Sequence, residues 1–393
     1  MMRDPFPIPH SVLLDPEKCV GCEACVKNCP TGAIRVLDGR ASVRSELCID
    51  CGECIRACPH GAKRAGSDPL AKIASYRLRV AIPAPALYGQ YGEGSSVDRL
   101  LSGLLELGFD EVFDVAEAAA IVDKATAELL SRADTASMPM RPLISSACPA
   151  VVRLIQLRFP GLIPHLIPLI PPMEAAARIV KERLHPGEDG VGVFFITPCA
   201  GKVTVTLAPL GYAKSAIDGV IGLSDIHLSL LSAIASAPAR HLARAGREGL
   251  EPARLDGARE AVGERGSISV DGIGNVIAVL EALENGEIPD LPYIEALACP
   301  AGCIGGPLTV EKPSIAKTRL LDREERIRAG APDRRFRENP IDLRWTEALK
   351  PRTVPERLIT AETRPRGSDR KAECRGPDRY RRCVRRPSRL PPS

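Results

Sequence analysis

The stretch "EALACPAGCIGG" (295–306) sets Cys299 and Cys303 four residues apart, after an apolar run and ahead of two glycines. Taken with the residues before it, "LPYIEALAC" (291–299) reads as a strand that delivers a cysteine at its C-terminal end. Two earlier segments repeat the pattern: "RPLISSACP" (141–149) leads to Cys148, and "GVGVFFITPC" (190–199) leads to Cys199. "YRLRVAIPAP" (76–85) reads as a further strand. Apolar spacing predicts helices over 96–109, with Ser96 as N-cap, and over 117–132, 149–159, 172–184, 225–235 and 272–286. This alternation predicts an α/β domain with mostly parallel strands, whose ligand-binding loops follow the C-terminal strand ends. The later cysteines fall in those loops.

Singly, each of these cysteines has a plain reading. Cys148 and Cys199 can be small buried hydrophobes, and Cys299 with Cys303 can be half of a zinc site. Four thiolates at three strand ends also suit an iron–sulfur cubane.

A second cysteine pattern opens the chain. "CVGCEACVKNCP" (19–30) and "CIDCGECIRACP" (48–59) are two copies of C-x2-C-x2-C-x3-C-P. Each compact loop offers three thiolates to a [4Fe–4S] cluster, and the fourth comes from the other copy. One cluster is expected on Cys19, Cys22, Cys25 and Cys58, the other on Cys48, Cys51, Cys54 and Cys29. Small residues in "TGA" and "HGA" let the chain pass close to the clusters. A zinc site or chance spacing is disfavoured by the doubled pattern. The region resembles bacterial two-cluster ferredoxins, which implies electron transfer. The expected divisions are a ferredoxin-like domain over 1–66, the α/β domain over 76–325 and an Arg/Pro-rich, disordered tail over 351–393.

Composition narrows the function classes. Of 393 residues, 45% are hydrophobic and 26% charged, as in a globular protein, while 4% aromatics disfavour a base-stacking nucleic-acid reader. The net charge of +4 hides a contrast: residues 351–393 carry +8 and the rest −4. "MMRDPFPIPH" lacks a signal-peptide core, and the apolar stretch 151–173 is broken by Arg153, Arg158 and several prolines. A cytoplasmic location without a membrane span is expected, and there the fourteen cysteines read as metal ligands rather than disulfides. "AGKVT" (200–204) lacks the elements of a phosphate loop, and the six histidines form no metal-ligand spacing.

The segments around the later cysteines resemble, in order, the three signature loops of the [FeFe]-hydrogenase catalytic domain: "SSACPAVVRLIQLRFP", "TPCAGK" and "EALACPAGCIGG". "AIPAPA" and "LLELGFDEVFDVAEAA" resemble the family's sequence ahead of them. The resemblance implies a two-lobed α/β fold and an H-cluster between the lobes, with Cys148, Cys199, Cys299 and Cys303 holding its cubane. It also implies that Cys303 bridges to a two-iron subsite carrying CO, cyanide and a dithiolate. Lys202 would hydrogen-bond a cyanide, and backbone near Ala84, Pro85 and Ala86 would line the pocket. The implied reaction interconverts H2 with protons and electrons, in an anaerobic setting, with a redox partner such as ferredoxin.

Several positions depart from the family pattern. Ala147 stands where fast enzymes have a proton-relaying cysteine, Val205 replaces a glutamate, and Thr197 and Leu297 replace methionines. Such losses resemble the sensory branch, which turns over slowly beside a signalling partner. The alternatives are an iron–sulfur assembly or interaction protein lacking the two-iron unit, and a pure electron carrier. The likeness stops after "RWTEALKPR" (344–352), as a truncated or frame-shifted gene would; Cys374 and Cys383 lie beyond it.

Overall fold

The computed structural model describes residues 9–92, 95–131, 141–238, 240–263, 265–289, 291–327 and 341–354. Cys374, Cys383 and the expected tail from residue 355 onward lie outside them.

Two parallel sheets carry the α/β part. One runs in the order Glu111–Val112, Leu78–Pro83, Val191–Thr197, Gly219–Gly222, with Ile82 beside Phe195 and Phe195 beside Val220. The other runs Ile268–Asp271, Tyr293–Leu297, Leu143–Ile144, with Ile294 paired to both Ile268 and Ile144. The strands leading to cysteine are therefore divided. Cys199 follows the four-stranded sheet, whereas Cys148 and Cys299 follow neighbouring strands of the three-stranded one.

Every residue of Val191–Thr197 is buried. The strand alternates between two apolar layers: Val191, Val193 and Phe195 join one, Phe194 and Ile196 the other. Adjacent Leu78–Pro83 does likewise, with Val80 and Ile82 on one side and Ala81 on the other. A parallel strand covered on both faces can be apolar throughout, which is why this segment reads as a continuous run.

Most expected helices are present. Val97–Glu106 begins at Ser96, whose side chain accepts from the Arg99 N–H at 3.2 Å. Val115–Ser131, Pro149–Arg158, Leu223–Ser236 and Ile273–Glu284 follow. The helix expected over 172–184 is α-helical only through Ile179; Val180–Leu184 widens into a π turn closed by the His185 N–H on the Val180 carbonyl. Several elements had no clear sequence signal, the helices Ala200–Leu207 and Gly257–Val262 among them. Ile268–Asp271 is a half-exposed edge strand, and Pro313–Ile327 buries only Ala316, Leu320, Arg323 and Glu324. No helix among the described residues is long and apolar enough to cross a membrane.

Among the N-terminal cysteines, Cys25 sits on the short helix Ala24–Lys27 and Cys54 on Glu53–Arg56. Val12–Leu14 pairs antiparallel with Lys63–Ala65, and Ile34–Leu37 with Arg40–Val43. This module shares an apolar cluster with its neighbour: Ile34, Leu47 and Ile49 join Val151, Ile155 and Ile294. Arg352, at the start of the expected tail, donates to the carbonyl oxygens of Cys48 and Ser45 at 2.8 and 3.0 Å.

Candidate metal centres

Cys19, Cys22, Cys25 and Cys58 line one small cavity, together with Gly21 and Ala62. The structure thus brings the cysteine after the second loop to the first. Reciprocally, Cys29 lies among Cys48, Cys51 and Cys54: burial, and then the charges of its neighbours, push the Cys51 thiol well up. Burial likewise pushes Cys54 up to about 12. The alanines of "TGA" and "HGA" do more than leave room. The Ala33 N–H points at the Cys29 sulfur at 3.2 Å and the Ala62 N–H at the Cys58 sulfur at 3.3 Å, related contacts in the two halves. The halves differ in exposure: Cys22 is exposed and its counterpart Cys51 buried.

The later quartet also converges. Cys148 is the N-cap of Pro149–Arg158 and Cys199 the N-cap of Ala200–Leu207, so both thiols sit where helix N–H groups and the dipole favour a thiolate. Cys299 and Cys303 are joined by a turn with Ala301 at φ 58° and Gly302 at φ 90°. A Cβ on Gly302 would lie 2.8 Å from the Leu255 nitrogen, so the glycine of "PAGC" is required. Asp271 fixes this turn by accepting from the Ala301 N–H at 2.6 Å.

Burial pushes the Cys148 and Cys299 thiols up, and Cys199 up to about 12. Lys202 balances them. Burial alone would lower its pKa, but the facing charges of Cys303, Cys199, Cys148 and Cys299 hold it raised. Its ammonium sits 5.8 Å from the centre of the Phe195 ring.

These donors fit a thiolate-held cluster better than one zinc ion. A tetrahedral zinc with Zn–S of about 2.3 Å holds its sulfurs about 3.8 Å apart. Among the described residues, His10, Cys48 and Asp50 form the one group of three or more His, Cys, Asp or Glu ligand atoms within 4.8 Å of each other. That trio had no signal in the histidine spacing, and its Asp50 is already occupied in the domain junction.

A cavity of about 80 Å³ adjoins the quartet and is lined by Pro85, Ala86, Ala147, Met173, Lys202 and Cys303. The expected Ala84–Ala86 wall, Lys202 and Cys303 thus meet on one cavity. Sequence reasoning missed two carboxyls on the same cavity, Asp123 and Glu295. Burial pushes Asp123 well up, and its Oδ2 has no hydrogen-bond partner. Glu295 is pushed up to about 7 by burial, although it accepts from Ser269 Oγ at 2.8 Å and the Ala258 N–H at 3.3 Å.

The two cysteine regions meet through charged side chains. Asp50, inside the second N-terminal loop, accepts from the Ser11 N–H at 2.9 Å and hydroxyl at 3.1 Å, from Arg153 at 2.6 Å and from Thr204 at 3.0 Å. Arg153 and Thr204 belong to the two helices capped by Cys148 and Cys199. Gly52 packs on the third cysteine loop, where a Cβ would lie 2.4 Å from Pro307 Cγ. Arg56 pairs with Glu53, donates to the Gly305 carbonyl oxygen at 3.0 Å and is held charged by its electrostatic interaction with Cys299.

Comparison with known proteins shows the family of the chain. The family "Iron only hydrogenase large subunit, C-terminal domain" matches residues 77–233 and 231–307, and a "4Fe-4S dicluster domain" matches 11–59. The NADP-reducing hydrogenase subunit HndD of Solidesulfovibrio fructosivorans is 25% identical over 409 residues, 86% of this chain and 64% of that protein. The periplasmic [Fe] hydrogenase large subunit of Nitratidesulfovibrio vulgaris is 31% identical over 219 residues, 51% of this chain and 52% of its own length. The chain therefore spans less than two thirds of either relative. An apo [FeFe]-hydrogenase HydA1 from Chlamydomonas reinhardtii shares the fold, with a TM-score of 0.55 and 19% identity over 69% of this chain and 91% of that one. With the family match running across more than half of its length, this chain belongs to the iron-only hydrogenase large-subunit family and carries a 4Fe–4S dicluster ferredoxin domain at its N-terminal end.

Proposed function

We propose that the protein is a hydrogen-binding, low-turnover member of this family, suited to sensing. Two [4Fe–4S] clusters would be held by Cys19, Cys22, Cys25 and Cys58, and by Cys48, Cys51, Cys54 and Cys29, in a module over 1–66. Cys148, Cys199, Cys299 and Cys303 would hold the cubane of an H-cluster in the domain over 76–325, with Cys303 bridging to the two-iron subsite. When bound, that subsite supplies heterolytic H2 chemistry. The chain's own residues do the rest. Pro85 and Ala86 wall the cavity, and Lys202 presents an ammonium to anionic ligands.

The proposed electron route enters from a ferredoxin-type partner at the exposed Cys22 side and passes through the buried Cys51 side to the quartet. The cytoplasm, where thiols stay reduced, is the proposed location.

The observation that supports low turnover is Ala147, whose methyl group lines the cavity beside Lys202 and Cys303 and cannot hold or pass a proton. The matured wild-type chain is expected to evolve H2 slowly, and Ala147→Cys to raise turnover about 100-fold, a typical contribution of a positioned proton-transfer group. Rapid wild-type turnover, unchanged by Ala147→Cys, refutes the reading.

A further inference from the structure

Arg56 is a ferredoxin-repeat residue whose side chain is used by the other domain. It lies in "CIRACP", between Cys54 and Cys58, and the corresponding residue of the first repeat is Lys27. Lys27 is exposed, whereas Arg56 is only 24% exposed and crosses to the third loop of the hydrogenase-type domain. Its planar guanidinium binds two partners at once, the Glu53 carboxylate and the Gly305 carbonyl oxygen at 3.0 Å, and so brings its charge to bear on Cys299. A lysine ammonium, a point charge on a flexible stem, cannot match that fork. Close packing of Gly52 against Pro307 holds the two loops together at this place.

We infer that Arg56 is a positioning residue for electron transfer, setting the reduction potential of the cluster held by Cys148, Cys199, Cys299 and Cys303. This rests on the proposal that those four cysteines hold a cluster, and it is independent of the two-iron subsite. Hydrogen bonds to cluster sulfurs and the net charge beside a cluster both tune its potential. A permanent cation against Cys299 stabilises the reduced cluster, which carries one more electron. In the step concerned, the reduced cluster on Cys48, Cys51, Cys54 and Cys29 gives up one electron and the quartet's cluster gains it, with no proton moved. The external reductant is a ferredoxin-type carrier. Glu53 opposes the effect, because its carboxylate partly neutralises the guanidinium.

The test is an EPR-monitored redox titration of the full chain, reconstituted with iron and sulfide alone, so that no maturation is needed. Arg56→Gln is expected to lower the equilibrium constant for reducing the quartet's cluster at least about tenfold, a drop of about 59 mV for a one-electron couple. Glu53→Gln should move the potential the opposite way. Arg56→Lys, which keeps the charge, should retain more than half of the wild-type effect. An unchanged potential in Arg56→Gln, or equal shifts in Arg56→Gln and Arg56→Lys, overturns the inference. A wild-type chain that reconstitutes only two clusters overturns the ligand assignment instead, and this inference falls with it.

Discussion

Replacing Cys199 with alanine should remove one whole cluster, about four irons per chain, while leaving the EPR signals of the two N-terminal clusters in place. The size of the effect follows from the topology. Cys148, Cys299 and Cys303 all follow strands of the three-stranded sheet, whereas Cys199 follows Val191–Thr197 in the four-stranded sheet. It is the one quartet member contributed from that side. A cluster on all four would tie the two sheets together, so metal binding and folding are coupled. The variant should therefore melt at a lower temperature as well as hold less iron. Iron analysis and anaerobic thermal melting of the same sample check both. An unchanged iron content would mean that Cys199 is only a buried small residue, the plain reading open to it in isolation.

Arg153→Ala should be the most destabilising single change outside the cysteines, at about 3–5 kcal/mol. Arg153 and Asp50 are almost fully enclosed, at 4% and 0% side-chain exposure. Truncating the arginine leaves a buried carboxylate without its cation, and that carboxylate belongs to the loop carrying Cys48 and Cys51. Removing both charges is gentler than removing one. The double variant Asp50→Asn with Arg153→Met should thus melt above Arg153→Ala, since asparagine also tolerates the left-handed conformation at position 50, where φ is 55°. Apparent melting temperatures at one scan rate order the three proteins. If the double variant is the least stable, the pair does not work as an isolated buried ion pair.

Local signals carried much of this into the sequence. The doubled C-x2-C-x2-C-x3-C-P spacing, the strands before Cys148, Cys199 and Cys299, and the Ser96 cap are all written in consecutive residues. The division of those strands between two sheets is not, because pairing such as Ile294 with Ile144 depends on distant residues. Asp50 left a readable trace: it stands where the first repeat has Gly21, at a position with positive φ in both copies. A charged residue there breaks the repeat and marks the docking side. Arg56 left none, since a basic residue fills the same place in both repeats. Asp123 was hidden inside an otherwise ordinary amphipathic helix, and Glu295 within an apolar strand. Pro313–Ile327 escaped because its mostly charged surface buries too few apolar side chains to show a helical period.

The central claim is that the late cysteines, with Lys202 beside them, support a two-iron subsite rather than a plain cubane. Infrared spectroscopy of the full chain after anaerobic maturation tests it most directly. Stretching bands of CO and cyanide are expected, with the cyanide bands shifted by Lys202→Met. A chain that holds all three cubanes yet shows no such bands contradicts it, and would make this an iron–sulfur assembly or electron-transfer protein built on the hydrogenase fold.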